Sequence, residues 1–595
     1  MNKPKIIDTV LYLFSLGFVV YLLSIHTITS TALYLGSKPT KWILFGSIAI
    51  TLVYSVVSFI MISKKRIFGW LGVVPLFLIC LSFLYGVTVN HQLYDISFDG
   101  QAYHGEAIVT IIEGWNPVKN PTSKGVNQYV DNLKFDSWLD SYPKTMWYNS
   151  AITYDLTKDF RDVKFFNFSI IFAGFAIAYL SLKDIQFTTK TEYNYLIASI
   201  LSLLIVANPI AIVQSTTASL DGVLYFLIVI LCGVLFQIYK EFENPSTQKY
   251  LNYFNLGATF IILSNIKLAG MIYGLLFISS FGLLVLLIKS RHLIELATVS
   301  IISLFLAVVV FGFNPYITNA IDYKNPLYPV FGPNAISFQE NTPSNYRDKS
   351  NLEVFAGGLF FKSSDVFPDA DSGEPAELKL PFTVYDSELK SFANPQIKKG
   401  GLGLFTGGIT ILVLICFICT LIYNYHDVLN HNHHDSGKQN SRVLKKIFIP
   451  IFIFGVFFIS FILTKTSSTL RYIPHIWLLF VMILAFGLYT KNLQLKIFSV
   501  VIIAICFINT ITMASTYFDN QIKISSTVTS TFNQMRFSGD NYQLYYGYSS
   551  SLRQYMYDNQ ISTVGSTQLQ DDCWYTQNPF YQLSYSLVQV CVLKK

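Results

Sequence analysis

"IFIPIFIFGVFFISFIL", residues 447–463, carries no charged side chain along its whole length. A helix of ~20 apolar residues crosses ~30 Å of hydrocarbon, and this run comes close to that length. "HIWLLFVMILAFGLY", residues 475–489, is a second run of the same kind. A transmembrane barrel would alternate polar and apolar positions, which neither run does. The composition extends the reading to the whole chain: 52% of residues are hydrophobic and 13% charged, with 50 Phe and 38 Tyr. Soluble domains sit far from these values. The fold class expected is therefore an all-α polytopic membrane bundle.

The length rule puts about thirteen spans near 7–28, 42–62, 68–89, 165–182, 194–213, 219–239, 251–266, 268–288, 293–313, 402–424, 446–464, 472–490 and 495–514. The first has a long apolar stretch with no small-x-small cleavage pattern after it, so it reads as an anchor rather than a secretory signal. Lys3 and Lys5, Lys64 to Arg66, Lys183 and Lys190, Lys240, Lys289 and Arg291, Lys445 and Lys446, and Lys491 and Lys496 then share one side. By the positive-inside rule that side is cytoplasmic. The expectation is an integral protein of a bacterial inner membrane, with its N-terminus cytoplasmic and its C-terminus outside. Along the chain the order is N-terminal spans (1–89), a first outer loop (90–164), a core of spans (165–313), a second outer loop (314–401), further spans (402–514) and an outer C-terminal region (515–595).

That last region mixes Tyr with Ser, Asn and Gln, and reads as a small α/β-like cap or as a carbohydrate-contacting surface. Its two cysteines, Cys573 and Cys591, form either a disulfide or two thiols. Cys80, Cys232, Cys416, Cys419 and Cys506 sit in apolar runs, where cysteine packs as a small hydrophobe. His431, His433 and His434 with Asp435 match no standard metal spacing and read as a cytoplasmic loop. The chain shows no P-loop, dinucleotide fingerprint or fixed-period repeat.

The first outer loop opens with "YDISFDGQAYHGEAIVTIIEGWNP", residues 94–117. Apolar spacing predicts a helix from Gly100 to Glu113 that Gly114 ends, with Asp99 at its start. Asp99 is then a helix cap or a base on the outer rim. Tyr103 lies one turn on from it, and Glu106 follows at i+3 as a secondary acid. His104 falls roughly 140° away at α-helical pitch. It reads as a substrate-orienting group or an interfacial polar residue.

Polar and Pro-containing clusters recur at the outer ends of the spans: residues 208–222, 265–270, 313–332 and 464–474. Asn208-Pro209 and Asn314-Pro315 each predict a turn, because the residue before Pro avoids the helical region. Gln214 and Asp221 read as binding groups or as braces of a bent connection. An ionisable group within a span costs ~2.5–3.5 kcal/mol, so Lys267, at a span border, calls for a partner or a ligand. Lys324, Lys465 and Arg471 share that rim. Arg471 either snorkels or grips a phosphate with two parallel hydrogen bonds.

Taken together, "FDGQAYHGEA" with "GWNP", Asn208-Pro209 with Gln214 and Asp221-Gly222, Lys267, "NPYITN" with "NPLYP", and Arg471-Tyr472 with Pro474 resemble the polytopic GT-C-type glycosyltransferases. These include protein O-mannosyltransferase and aminoarabinose-transferase relatives. Two features depart from that pattern: the acid follows a third span, and it reads Asp-Gly-Gln rather than a pair of acids. The resemblance implies sugar transfer from a polyprenyl-phosphate carrier to a glycan, lipid or protein acceptor on the outer face. It implies Asp99 as base. Lys267, Arg471 and Lys324 become the cations that meet the departing phosphate. Tyr103, His104, Glu106, Gln214 and Asp221 become substrate contacts. No organic cofactor or nucleic acid is implied, and a divalent metal stays open. A glycan polymerase or ligase uses the same carrier. A transporter or flippase is the other class, and it would place its charges near the bilayer middle in related halves.

Overall fold

The computed structural model describes residues 6–63, 66–126, 136–243, 248–288, 292–332, 334–336, 342–364, 374–430, 443–464, 466–545, 551–566 and 589–593. Cys573, Lys465, His431, His433, His434 and Asp435 lie outside these residues, as does the side chain of Cys591. The protein is an integral membrane protein built of apolar helices. Among the described residues, ten of them are long and apolar enough to span a bilayer, from Ile6–Tyr34 to Leu493–Ser538.

Each expected span coincides with a helix, yet two fall short of a crossing. Lys249–Ser264 has 16 residues and Ile476–Tyr489 has 14. The first carries buried Asn252 and Asn255, which bond to the hydroxyls of Tyr12 and Tyr54 on neighbouring helices. At residues 194–213 the expected span is a pair, Thr191–Val206 and Pro209–Thr216, bent by 64°. Asn208 explains the bend: its Oδ1 accepts from the backbone N–H groups of Ile210 and Ala211 (3.0 and 3.1 Å), starting a new helix beside the Pro.

The chain forms two compact units. One gathers Met1–Ala173, Gln214–Ile336 and Phe518–Lys595. In it, helix Lys41–Ser63 turns Ser47, Thr51, Ser55 and Ser58 inward and leaves Phe45, Ile50, Val53, Val57 and Met61 exposed. That inversion suits lipid, because small residues let helix backbones approach while large apolar ones meet the acyl chains. The same logic fixes Gly86, where a Cβ would lie 2.2 Å from the carbonyl oxygen of Phe165.

The other unit holds Gly174–Val213 and Ser337–Tyr517. Its extramembrane part is pinned by a buried ion pair, Lys379 to Glu388 at 2.8 Å, with Lys379 also donating to the carbonyl of Leu404. Helix Leu493–Ser538 contributes residues 493–517 to this unit and the remainder to the first. Its 46 residues rise roughly 70 Å, more than twice the hydrocarbon thickness, so the polar second half leaves the membrane. It leads into a three-stranded sheet with order β2-β1-β3: β1 (Asn541–Tyr545) runs parallel to β2 (Thr563–Ser566) and antiparallel to β3 (Gln589–Leu593). Helix Leu552–Asp558 connects β1 to β2.

Candidate functional site

The loop of residues 90–164 is organised around an acid that the sequence does not single out. Asp95 is buried, accepts from the backbone N–H and hydroxyl of Ser97 (2.8 and 2.7 Å), and accepts from the backbone N–H of Ala218 at 2.6 Å. Burial pushes its carboxyl above the usual range, against the pull of Lys164 and these bonds. Ser97 in turn accepts from the Gly100 N–H (3.1 Å) and from the hydroxyl of Ser219 (3.3 Å). The turn that bears Asp99 is thereby tied to the 214–222 connection.

Asp99 sits at the start of a π-helical turn, Gly100–His104, that runs into the α-helix Gly105–Glu113. Gly114 closes that helix with φ 125°, as its position predicted. Asp99 makes no side-chain capping bond, and its backbone is helical (φ −60°, ψ −37°). The π turn closes from the N–H of Gly105 to the carbonyl of Gly100. Each residue in such a turn rotates less than in an α-helix, so His104 swings closer to the Asp99 direction than α-helical pitch predicts. Glycine is required at both ends. A Cβ on Gly100 would lie 2.3 Å from Asp95 Oδ2, and one on Gly105 would lie 2.6 Å from the Gly100 oxygen and 2.9 Å from Ser551 Oγ.

His104 is buried, and its Nδ1 accepts from the indole of Trp147 at 3.0 Å, which leaves the proton on Nε2. Beside it lies an aromatic shelf of Tyr103, Trp138 and Tyr142, with ring centroids 5.9–6.2 Å apart. Lys144, fully buried beneath the shelf, lies 5.5 Å from the centre of the Trp115 ring and 5.3 Å from that of Trp147. Its ammonium donates to the carbonyls of Asp140 (2.9 Å) and Tyr142 and to Asn314 Oδ1 (3.2 Å). Burial pulls it down to about 7, with Asp140 opposing. Asn314 departs from the helix, as its Asn-Pro signal predicted, and donates its amide to the carbonyl of Pro117 at 2.8 Å.

Gln214, Asp221 and Lys267 form one chain. Lys267 pairs with Asp221, which is 1% exposed, and the Gln214 amide donates to the other Asp221 oxygen at 3.3 Å. Gln214 Oε1 accepts from the Gly222 N–H at 2.8 Å, the bracing of a bent connection. Lys267 thus has the partner that a cation at a span border calls for.

Glu106 has a different setting. Its fully buried carboxylate takes two bonds from Arg553, at 2.6 and 2.8 Å, and Arg553 also holds Glu113 at 3.0 Å. Burial works against this charge, but the two acids hold the Arg553 guanidinium above its ordinary value. The C-terminal helix is docked further by Ser551 on the carbonyl of Gln101 (3.2 Å) and by Asp558, which accepts from the Phe160 N–H and from Tyr154, each at 2.8 Å. Lys324 is exposed, in the left-handed region after helix Thr318–Tyr323. Arg471 belongs to the other unit, where it is buried over the Tyr472 ring and bonded to the Tyr472 hydroxyl at 3.0 Å.

In this first unit, then, the fold and the site define a membrane protein with an acid, a neutral imidazole, an aromatic shelf and a carboxylate-held lysine on linked loops. No family model, curated protein or solved structure matches the chain.

Proposed function

We propose that the protein is a membrane glycosyltransferase that moves a sugar from a polyprenyl-phosphate carrier to a glycan, lipid or protein acceptor on the outer face. The supporting observation is the bonded linkage of the Asp99 turn, through Asp95 and Ser97, to the connection that carries Gln214 and Asp221 and so to Lys267. Attack at the anomeric carbon calls for a carboxylate that takes the acceptor proton, and the departing phosphate calls for a fixed cation where water is scarce. Asp99 serves as base and Lys267 as phosphate ligand, oriented by Asp221 and Gln214. Tyr103 and Trp138, both half-buried, offer faces to a sugar ring, with His104 packed beside Tyr103. Glu106 is a latch for the C-terminal segment in this reading.

The same latch bears on topology. The C-terminal segment bonds to the first outer loop, so both lie on one side of the membrane, and the loop follows three spans. That supports an odd number of crossings, in keeping with eleven among the described residues when the bent pair is counted as one. The lysine and arginine distribution supports the reading of that side as extracytoplasmic.

The test is Asp99→Asn in proteoliposomes supplied with a polyprenyl-phosphate sugar. Transfer is lost while helix content, elution volume and donor binding persist; full transfer by the variant removes Asp99 from the reaction. Mass spectrometry of copurified lipid separates the classes, since a polyprenyl phosphate supports transfer and a bound soluble solute supports transport.

A further inference from the structure

Away from this site, three residues with ligand atoms converge at the junction of two spans. His91 follows the helix Val73–Asn90, and Asp159 and Asp162 precede the helix Phe166–Leu182. His91 Nδ1 lies 3.4 Å from Asp159 Oδ2 and 3.5 Å from Asp162 Oδ1. All three ligand atoms fall within 4.8 Å of one another. Nitrogen and oxygen ligands at ~2.0–2.2 Å from a tetrahedral ion are spaced at roughly 3.3–3.6 Å, so both measured edges match a four-coordinate site.

A second observation concerns Asp162 alone. The residue is 1% exposed, and its Oδ1 has His91 Nδ1 at 3.5 Å as an ion-pair neighbour but accepts no hydrogen bond of good geometry among the described residues. A buried carboxylate oxygen in that state bears a desolvation cost that a bound cation would offset. Asp159 is held by Arg161, which donates to Oδ1 from its backbone N–H (2.8 Å) and Nε (2.9 Å) and to Oδ2 from Nε (3.1 Å) and Nη2 (2.5 Å), so an ion would share Oδ2 with the guanidinium. Bonding of that kind orients a ligating carboxylate. The His91 side chain is 56% exposed, which gives an ion and a coordinated water a route in.

The geometry points to a divalent metal site formed by His91, Asp159 and Asp162, of the zinc class. Calcium and magnesium take oxygen ligands, whereas an imidazole among two carboxylates favours a borderline ion. The ion would join the exit of one span to the entry of another. It would also stiffen the docking of the C-terminal helix, because Phe160, next to Asp159, is bonded to Asp558.

Cobalt(II) is a suitable probe, because four-coordinate cobalt absorbs visible light far more strongly than six-coordinate cobalt. The full chain, stripped by a chelator in detergent, takes up stoichiometric cobalt with intense bands that zinc displaces. Excess zinc raises its melting temperature. His91→Ala and Asp162→Asn each abolish the bands and the thermal shift. If Asp162→Asn does not fold, His91→Ala at its exposed position carries the test. Absence of saturable uptake, weak six-coordinate bands, or uptake unchanged in His91→Ala would overturn the assignment and leave a histidine–aspartate ion pair.

Discussion

Arg553 reaches across 447 residues of sequence to clasp Glu106, with Nη1 to Oε2 at 2.6 Å and Nη2 to Oε1 at 2.8 Å. Glu106 is fully buried and the Arg553 side chain 10% exposed, so removing either partner leaves a buried charge behind. Breaking such a pair costs about 3–5 kcal/mol. Arg553→Ala should lower the unfolding midpoint accordingly and open the C-terminal segment to limited proteolysis, while Arg553→Met with Glu106→Met recovers most of the loss. A single variant as stable and as protease-resistant as the parent contradicts the latch.

Gly105→Ala should disrupt the π turn, because the added Cβ has the Gly100 oxygen at 2.6 Å and Ser551 at 2.9 Å. Overpacking of this kind costs about 1–3 kcal/mol. Thermal unfolding measures that loss, and sugar transfer should fall further than stability because Asp99 and His104 lie on the same turn. Gly455→Ala is the control, since nothing lies within 4 Å of its added Cβ.

Asp221 and Lys267 should behave as a coupled pair. Asp221→Asn or Lys267→Met alone destabilises by about 3 kcal/mol or more, because the partner keeps its charge in a buried site. The double variant regains stability but not transfer if Lys267 meets the phosphate. Recovery of both by the double variant would make the pair purely structural.

Lys144 gives a pH dependence of defined sign. Its folded value of about 7 lies below the ordinary lysine value of 10.5, so between those limits the unfolded chain binds more protons than the folded one. Stability therefore rises as pH increases from about 7 towards 10, and the cost of the buried ammonium is fully present below 7. Melting temperatures across that window should climb for the parent, and Lys144→Met should flatten the slope. A parent curve no steeper than the variant's would mean that the ammonium stays charged in the fold.

Much was legible in the chain order itself. Apolar runs such as 447–463 announced membrane helices, because hydrocarbon admits only backbone that satisfies its own hydrogen bonds. The Asn-Pro pairs at 208 and 314 announced breaks, because the residue before Pro avoids helical backbone. Gly114 announced a helix end. Lys267, a cation at a span border, announced a partner.

The identity of those partners was a matter for the tertiary structure alone. Nothing near Glu106 in the sequence points to Arg553, and nothing near His91 points to Asp159 and Asp162. Asp95 and Asp99 stand four residues apart in one loop; burial against Ala218 makes the first a brace, while the second heads a π turn with no capping bond. Local pattern sets which segments are helical and which face lipid, since those choices depend on neighbours within a turn. The pairing of charges depends on which distant segments share a buried space, and only the packed chain defines that.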